Sequence, residues 1–217
     1  MANERNLHGN RFRRARFRRF ATILEEVGAT RADRPIRVLD LGGTAAYWQA
    51  LRPEWQRFDL DLTIVNVGAV SGEPHDHLRF LSGDARSMPD LPDNSFDVVH
   101  SNSVIEHVGH WAEMVRMANE VRRLAPRYYL QTPNFWFPVE PHFRSLFFHW
   151  LPEQTRARRL MRRKHGFRGP YQTMDEAMDA VQTAVLLDLA QMRALFPDAR
   201  IEREKAFGLT KSLIAIR

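Results

Sequence analysis

Four short groups of residues carry most of the side chains able to do chemistry. The first is Asp40-Leu41-Gly42-Gly43-Thr44, an acid beside a double glycine. Main-chain atoms there can approach a ligand closely, because no Cβ stands in the way. Asn66 is the second, a carboxamide able to donate to and accept from sugar hydroxyls. Gly83-Asp84-Ala85 is the third, and Ser101-Asn102 opens the fourth, which runs on to Glu106-His107. His107 is the first candidate for a general base, with Glu140 and His142 behind it. Each also has a purely structural reading: Asp40 could cap a helix, Asn66 and Asp84 could form turns, and His107 could start a helix. Glu140, His142 and His149 resemble a metal cluster, but their offsets fall on an irregular, Pro-bounded stretch, and no metal site is expected.

The elements that must position these residues are legible as apolar runs at 36–41, 62–67, 78–81, 96–100 and 128–131. The first is nearly continuous, as in a strand covered on both faces, and the spacing leaves room for crossover helices. Alternation of this kind predicts a parallel α/β sheet with one polar group at each of four strand ends. Trp111, Met114, Val115, Ala118, Val121 and Leu124 follow helical spacing up to Pro126, and Val185, Leu189, Met192 and Phe196 do so up to Pro197. Runs at 200–207 and 212–216, separated by Gly208-Leu209-Thr210-Lys211, predict an antiparallel hairpin. At 11–27, Phe12, Ala15, Phe20, Ile23, Leu24 and Val27 form one face of an amphipathic helix. Arg11, Arg13, Arg14, Arg16, Arg18 and Arg19 fill the remainder, read as a solvated face.

Residues 133–183 break the alternation. Phe143, Leu146, Phe147, Trp150 and Leu151 have helical spacing, and a basic run from Arg156 to Lys164 follows, so a helical insertion is expected over the ligand crevice as a lid. Phe135, Trp136, Phe137, Phe143, Phe147, Phe148 and Trp150 lie among Pro133, Pro138, Pro141 and Pro152. Their concentration predicts that 134–151 walls a pocket.

The 217 residues, 44% hydrophobic, suit one domain: 1–35 a basic helix and linker, 36–132 the binding core, 133–183 the insertion, 184–217 a helix and hairpin. The absence of cysteine excludes disulfides, thiolate zinc sites and cysteine nucleophiles. The net charge of +6 is uneven, with the basic excess outside an acidic middle, so it does not by itself argue for nucleic acid. No apolar run has signal-peptide or membrane-spanning length, and the cytoplasm is the expected compartment.

Taken together, these groups resemble the class I, Rossmann-like S-adenosylmethionine-dependent methyltransferases, and within them the small-molecule branch similar to quinone-biosynthesis methyltransferases. The resemblance runs from about residue 36 to 133 and resumes from about 186 to 216. It implies a mostly parallel, doubly wound, seven-stranded sheet with a C-terminal antiparallel hairpin, and S-adenosylmethionine as cofactor. By the same resemblance Asp40, Gly42 and Gly43 hold the methionine end, Asn66 the ribose and Asp84 the adenine amino group. Ala85 adds main-chain contacts, and Ser101 and Asn102 lie beside the sulfonium. Two departures are visible: Thr44 and Ala46 stand where further glycines are usual, and Asn66 where an acid is usual.

The acceptor expected is a small molecule or a glycan- or lipid-linked group with an O, N or C nucleophile. Arg156, Arg158, Arg159, Arg162 and Arg163 favour an anionic acceptor or an acidic membrane surface. Two other readings compete. Nucleic-acid methylation is suggested by the basic segments, but Ser101-Asn102-Ser103-Val104 is not the Asn/Asp-Pro-Pro-aromatic run of base-amine methylation. A non-catalytic cofactor-binding protein is suggested by Thr44 and Ala46.

Overall fold

The computed structural model describes residues 11–31, 33–68 and 78–217, with Arg11 described in its backbone only. The remainder of the basic N-terminal segment, and the side chain of Arg11 counted in its polar face, lie outside the described residues.

Strand β1 (Ile36–Leu41) lies at the centre because both its faces are apolar, and four of its six side chains are fully or nearly fully buried along with Asp40. It is followed by short helices α2 (Ala45–Ala50) and α3 (Arg52–Trp55), then β2 (Leu60–Asn66), β3 (Leu78–Ser82) and β4 (Val98–Asn102). Helix α4 (Trp111–Leu124) leads to β5 (Arg127–Pro133), and α7 (Leu189–Leu195) precedes β8 (Arg200–Ala206) and β9 (Leu209–Ile216). The order is β3-β2-β1-β4-β5-β9-β8. β1 to β5 are parallel, and β9 runs antiparallel between β5 and β8. The order reverses between β1 and β4, which opens a crevice at their carboxyl ends.

Helices cover both faces. Met114, Met117, Ala118, Val121 and Leu124 of α4 pack with Leu39, Leu41, Val99 and Leu130. On the other face α1 (Arg11–Thr30) packs Phe17, Phe20, Ile23 and Leu24 against Val38, Trp48, Val98 and Tyr129. Each such fully buried side chain contributes roughly 1.5–3 kcal/mol of transfer free energy. Asp188 caps α7 through Gln191, so this helix starts later than its apolar spacing indicates.

Three expectations need correction. The solvated face of α1 is not uniform: Ala15 is exposed, while Arg16 is buried beside Phe17. The C-terminal hairpin turns on Phe207-Gly208 alone, with φ of 52° and 79°, and Leu209 to Lys211 belong to β9. Two successive positive φ values match the twist of the flanking strands, so the shorter loop wins. Residues 143–151 are not an α-helix. They form a two-stranded ribbon, β6 (Val139–Glu140) with β7 (Ser145–Leu146), and a 3₁₀ turn, Phe148–Trp150. Left-handed Arg144 and Phe147 break any helix there, and the Phe147 amide donates to the Pro138 carbonyl at 2.7 Å. The helices of the insertion are α5 (Glu153–Arg162) and α6 (Met174–Gln182), packed through Ala157, Leu160, Ala177 and Val181.

Candidate active site

The glycine turn is built by close contacts that a side chain would destroy. Gly42 has φ +71°, and a Cβ on it would fall 2.5 Å from Val104 Cγ2. A Cβ on Gly43 would fall 1.7 Å from Asp40 Oδ2. Asp40 itself is buried: its Oδ2 accepts from Trp48 Nε1 at 2.6 Å, and its Oδ1 lies 2.7 Å from His100 Nδ1. Tyr129 stacks on the His100 ring with planes 4° apart. The side chain that caps α2 is Thr44, whose hydroxyl accepts from the Tyr47 amide at 3.1 Å, so the residue standing in a usual glycine position starts the helix.

Two cavities share Gly42 as a lining residue. The larger, of about 350 Å³, is lined by Gly42, Asn66, Gly83, Asp84, Ala85 and His107 among others. Asn66 donates to the Gly43 carbonyl at 2.7 Å, bracing the turn from the end of β2. Asp84 is clamped by Arg86, with Nε and Nη2 contacts of 2.9 and 2.6 Å. That hydrogen bonding holds the Asp84 carboxyl below the usual carboxylate range. The smaller cavity, of about 190 Å³, is bordered by Arg13, Asp40, Gly43, Thr44, Asn102 and Ser103. Asn102 accepts from Arg16 at 2.9 Å, and Arg16 also donates to Gln131 at 2.6 Å and to Glu204 at 3.0 Å. Ser101 departs from its expected place: it is buried, its hydroxyl turned to the Leu41 carbonyl at 3.2 Å, and it borders neither cavity.

At the end of the larger cavity a second polar cluster joins segments far apart in sequence. His107 lies in a 3₁₀ turn, Ile105–His107, with Nδ1 2.8 Å from the Thr183 carbonyl oxygen and Nε2 3.1 Å from Nε2 of His142. His142 Nδ1 is 2.7 Å from Glu140 Oε1, and Glu140 Oε2 accepts the Phe143 amide. The protein packed around its ring, with His142 beside it, draws the His107 pKa below the ordinary histidine value. Glu106 is wholly buried, accepts from the Thr132 hydroxyl at 2.9 Å through Oε2, and is pushed up to about 7 by burial. The three sequence candidates for acid and base work thus form one chain, Glu140, His142, His107. His149 is not part of it: its Nε2 faces the Phe135 carbonyl at 2.6 Å. A third cavity, of about 110 Å³, lies beside this chain and is lined by Phe135, Glu140, Phe143, His149, Arg156 and Val185 among others.

Residues 12–174 match the family model described as a methyltransferase domain. The chain belongs to that methyltransferase family. The sheet order is that of the class I methyltransferase fold. Among solved structures, the methyltransferase is similar to an S-adenosylmethionine-dependent methyltransferase of Methanosarcina mazei, with a TM-score of 0.51 and 15% identity, over 85% of this chain and 92% of that one. It is equally similar to a Rhodobacter sphaeroides protein named as a zinc-dependent alcohol dehydrogenase, with a TM-score of 0.51 and 12% identity, over 84% of each chain. Likeness at such identities carries the fold alone, and the two names illustrate why. An uncharacterised protein of Mycobacterium tuberculosis is 38% identical over 53 residues, a match that spans 24% of this chain and only 18% of that protein.

Sequence reasoning missed the groups that hold the site in place. Arg16 was hidden among other arginines, and only packing shows that it points inward. His100 did carry a signal, an ionisable residue inside an apolar strand, which usually has a buried partner. Glu106 stood within the fourth group with no role, and its neighbour His142 comes from beyond β5.

Proposed function

We propose that this methyltransferase binds S-adenosylmethionine across the two cavities that share Gly42 and transfers its methyl group to a small, anionic acceptor seated under the insertion. The observation that carries this reading is the sharing of Gly42 by both cavities, where the strand order reverses and all three stations Asn66, Asp84 and Asn102 border open space. Asp84 and Ala85 then face the adenine and Asn66 the ribose. The methionine end lies by Gly43 and Asn102, with Arg13 as the cation nearest its carboxylate. Asp40 braces the turn at Gly43 and borders the smaller cavity. Ser101 supports the end of β1.

The cofactor, when bound, supplies an activated methyl on a sulfonium, and the protein's task is to hold an acceptor in line and exclude water. Phe135 and Phe143 give the third cavity an apolar wall, and Arg156 gives it a cation. Glu140, His142 and His107 lie between that cavity and the larger one and serve the acceptor's proton. Arg158, Arg159 and Arg162 on α5 and Arg163 just beyond it are exposed, and attract anionic acceptors, or an acidic membrane surface carrying them, from outside. No described helix is long and apolar enough to cross a membrane.

Calorimetry with S-adenosylhomocysteine tests the cofactor half. Binding is expected, and Asp84→Ala should weaken it by about 1.5–3 kcal/mol, the range for a hydrogen bond to a charged group. No heat and no thermal shift at millimolar ligand would end the reading of the crevice. The acceptor half is tested by Arg158→Ser, Arg159→Ser, Arg162→Ser and Arg163→Ser combined. This variant should raise the acceptor KM, and do so less at high salt, because a Debye length of about 8 Å at physiological ionic strength shrinks as salt is added. Untouched acceptor kinetics would reduce α5 to a solvated face.

A further inference from the structure

The geometry points to a divalent-metal site formed by Glu106, His107 and His142. These three offer ligand atoms that all lie within 4.8 Å of one another, one buried, one intermediate and one exposed to the crevice. Three features of the cluster suit a metal ion held between them.

The first is the pair of imidazoles. His107 Nδ1 faces the Thr183 carbonyl, which can only accept, and His142 Nδ1 faces the Glu140 carboxylate, so both Nδ1 atoms carry hydrogen. In the neutral tautomers this leaves two Nε2 lone pairs pointing at each other across 3.1 Å. Lone pairs repel unless something positive accepts both. Nitrogens bound at about 2.0–2.1 Å to one tetrahedral zinc would stand about 3.3 Å apart, close to the spacing found.

The second feature is Glu106. Its side chain is wholly buried, Oε2 is bonded to Thr132, and Oε1 has no partner. An unpaired carboxylate oxygen in the interior is costly, and a cation is the partner that removes the cost. The third is the outer ring of contacts. Ligating histidines usually donate their second nitrogen to a carboxylate or a main-chain carbonyl, which fixes the ring and raises its basicity. Glu140 and the Thr183 carbonyl stand in those places.

Two nitrogens and one carboxylate oxygen suit zinc, iron(II) or manganese(II), and leave coordination positions open toward the crevice. The consequence for chemistry rests on the methyltransferase reading. An acceptor hydroxyl seated on such a cation would be acidified and would lose its proton to solvent, a loss the Glu140, His142 and His107 chain assists by holding the cation. Its oxygen then bonds to the sulfonium methyl carbon as the carbon–sulfur bond breaks and leaves a neutral thioether. The favoured acceptor is therefore a hydroxyl compound, and its anionic groups face Arg156.

The test uses full-length protein stripped with EDTA and dialysed, titrated with zinc chloride, and in parallel loaded with cobalt(II) for its visible spectrum. One equivalent of zinc should bind to wild type. His142→Ala and Glu106→Gln should each weaken that binding by at least 100-fold and lose the cobalt bands, and Glu140→Gln should weaken it by roughly 10- to 100-fold. Zinc that binds wild type and His142→Ala alike, or does not bind wild type, overturns the site. His142 lies on the insertion and borders none of the cavities assigned to cofactor, so this variant keeps the test valid should Glu106→Gln fail to fold. S-adenosylhomocysteine titrated into the same preparations separates the two readings. Metal binding lost in His142→Ala with homocysteine-nucleoside binding retained supports the metal site, and zinc binding without any cofactor binding supports it while removing the cofactor assignment.

Discussion

Replacing His142 with Ala is expected to lower turnover of the acceptor by about 100- to 10,000-fold, the range for losing a group that handles a proton in the transition state. The affinity for S-adenosylhomocysteine should stay within a factor of about two, because removing a contact made only during the reaction leaves ground-state binding intact. The reason lies in the geometry: His142 touches Glu140 and His107, and it borders neither the 350 nor the 190 Å³ cavity. Residues acting as one unit are not additive, so His107→Ala with His142→Ala should cost little more than the worse single change. Steady-state kinetics on all three variants, with thermal melts as a folding control, decides the matter. Turnover that survives in His142→Ala would show that alignment alone drives the transfer and would remove the cluster from the reaction.

Asp40→Ala should be the most destabilising single change in the site, by about 2–6 kcal/mol, the cost of leaving two buried hydrogen-bonding groups without their shared partner. The carboxylate is the partner of both the Trp48 indole and the His100 imidazole, all three nearly inaccessible to solvent. Truncation leaves an indole N–H and a ring nitrogen unsatisfied inside an aromatic group that includes Phe20, Tyr47 and Tyr129. For a chain of this size the melting temperature should fall by on the order of 10 °C. Cofactor binding should weaken as well, through the turn, since Gly43 rests against that carboxylate. Asp40→Asn keeps the shape and one acceptor and should fall between. A melting temperature unchanged in Asp40→Ala would mean that Trp48 and His100 find other partners and that Asp40 does not brace the turn.

The sequence determined the sheet and which polar groups stand at its strand ends. Continuous apolar runs need cover on both faces, and helical spacing between them leaves a right-handed parallel sheet as the arrangement that gives it, so 36–41 and 111–124 read with the boundaries found. The glycine turn and the polar groups at Asn66, Asp84 and Asn102 were legible for the same reason, since strand ends are fixed by the strands. Local pattern failed where backbone strain or distant partners decide. Phe143 to Leu151 has helical spacing, yet left-handed Arg144 and Phe147 and a hydrogen bond to Pro138 make a ribbon and a turn, which spacing cannot register. Arg16 reads as one of many surface arginines until Glu204, Asn102 and Gln131 converge on it from three strands. The surroundings of Asp40 and Glu106 are visible in the tertiary structure alone. One is held by an indole and an imidazole, the other left with an unpaired oxygen beside His107 and His142, and both fates depend on side chains that only folding brings within 3 to 5 Å. A buried charge takes its meaning from its partners, and partners from separate elements have no spacing in the sequence to announce them.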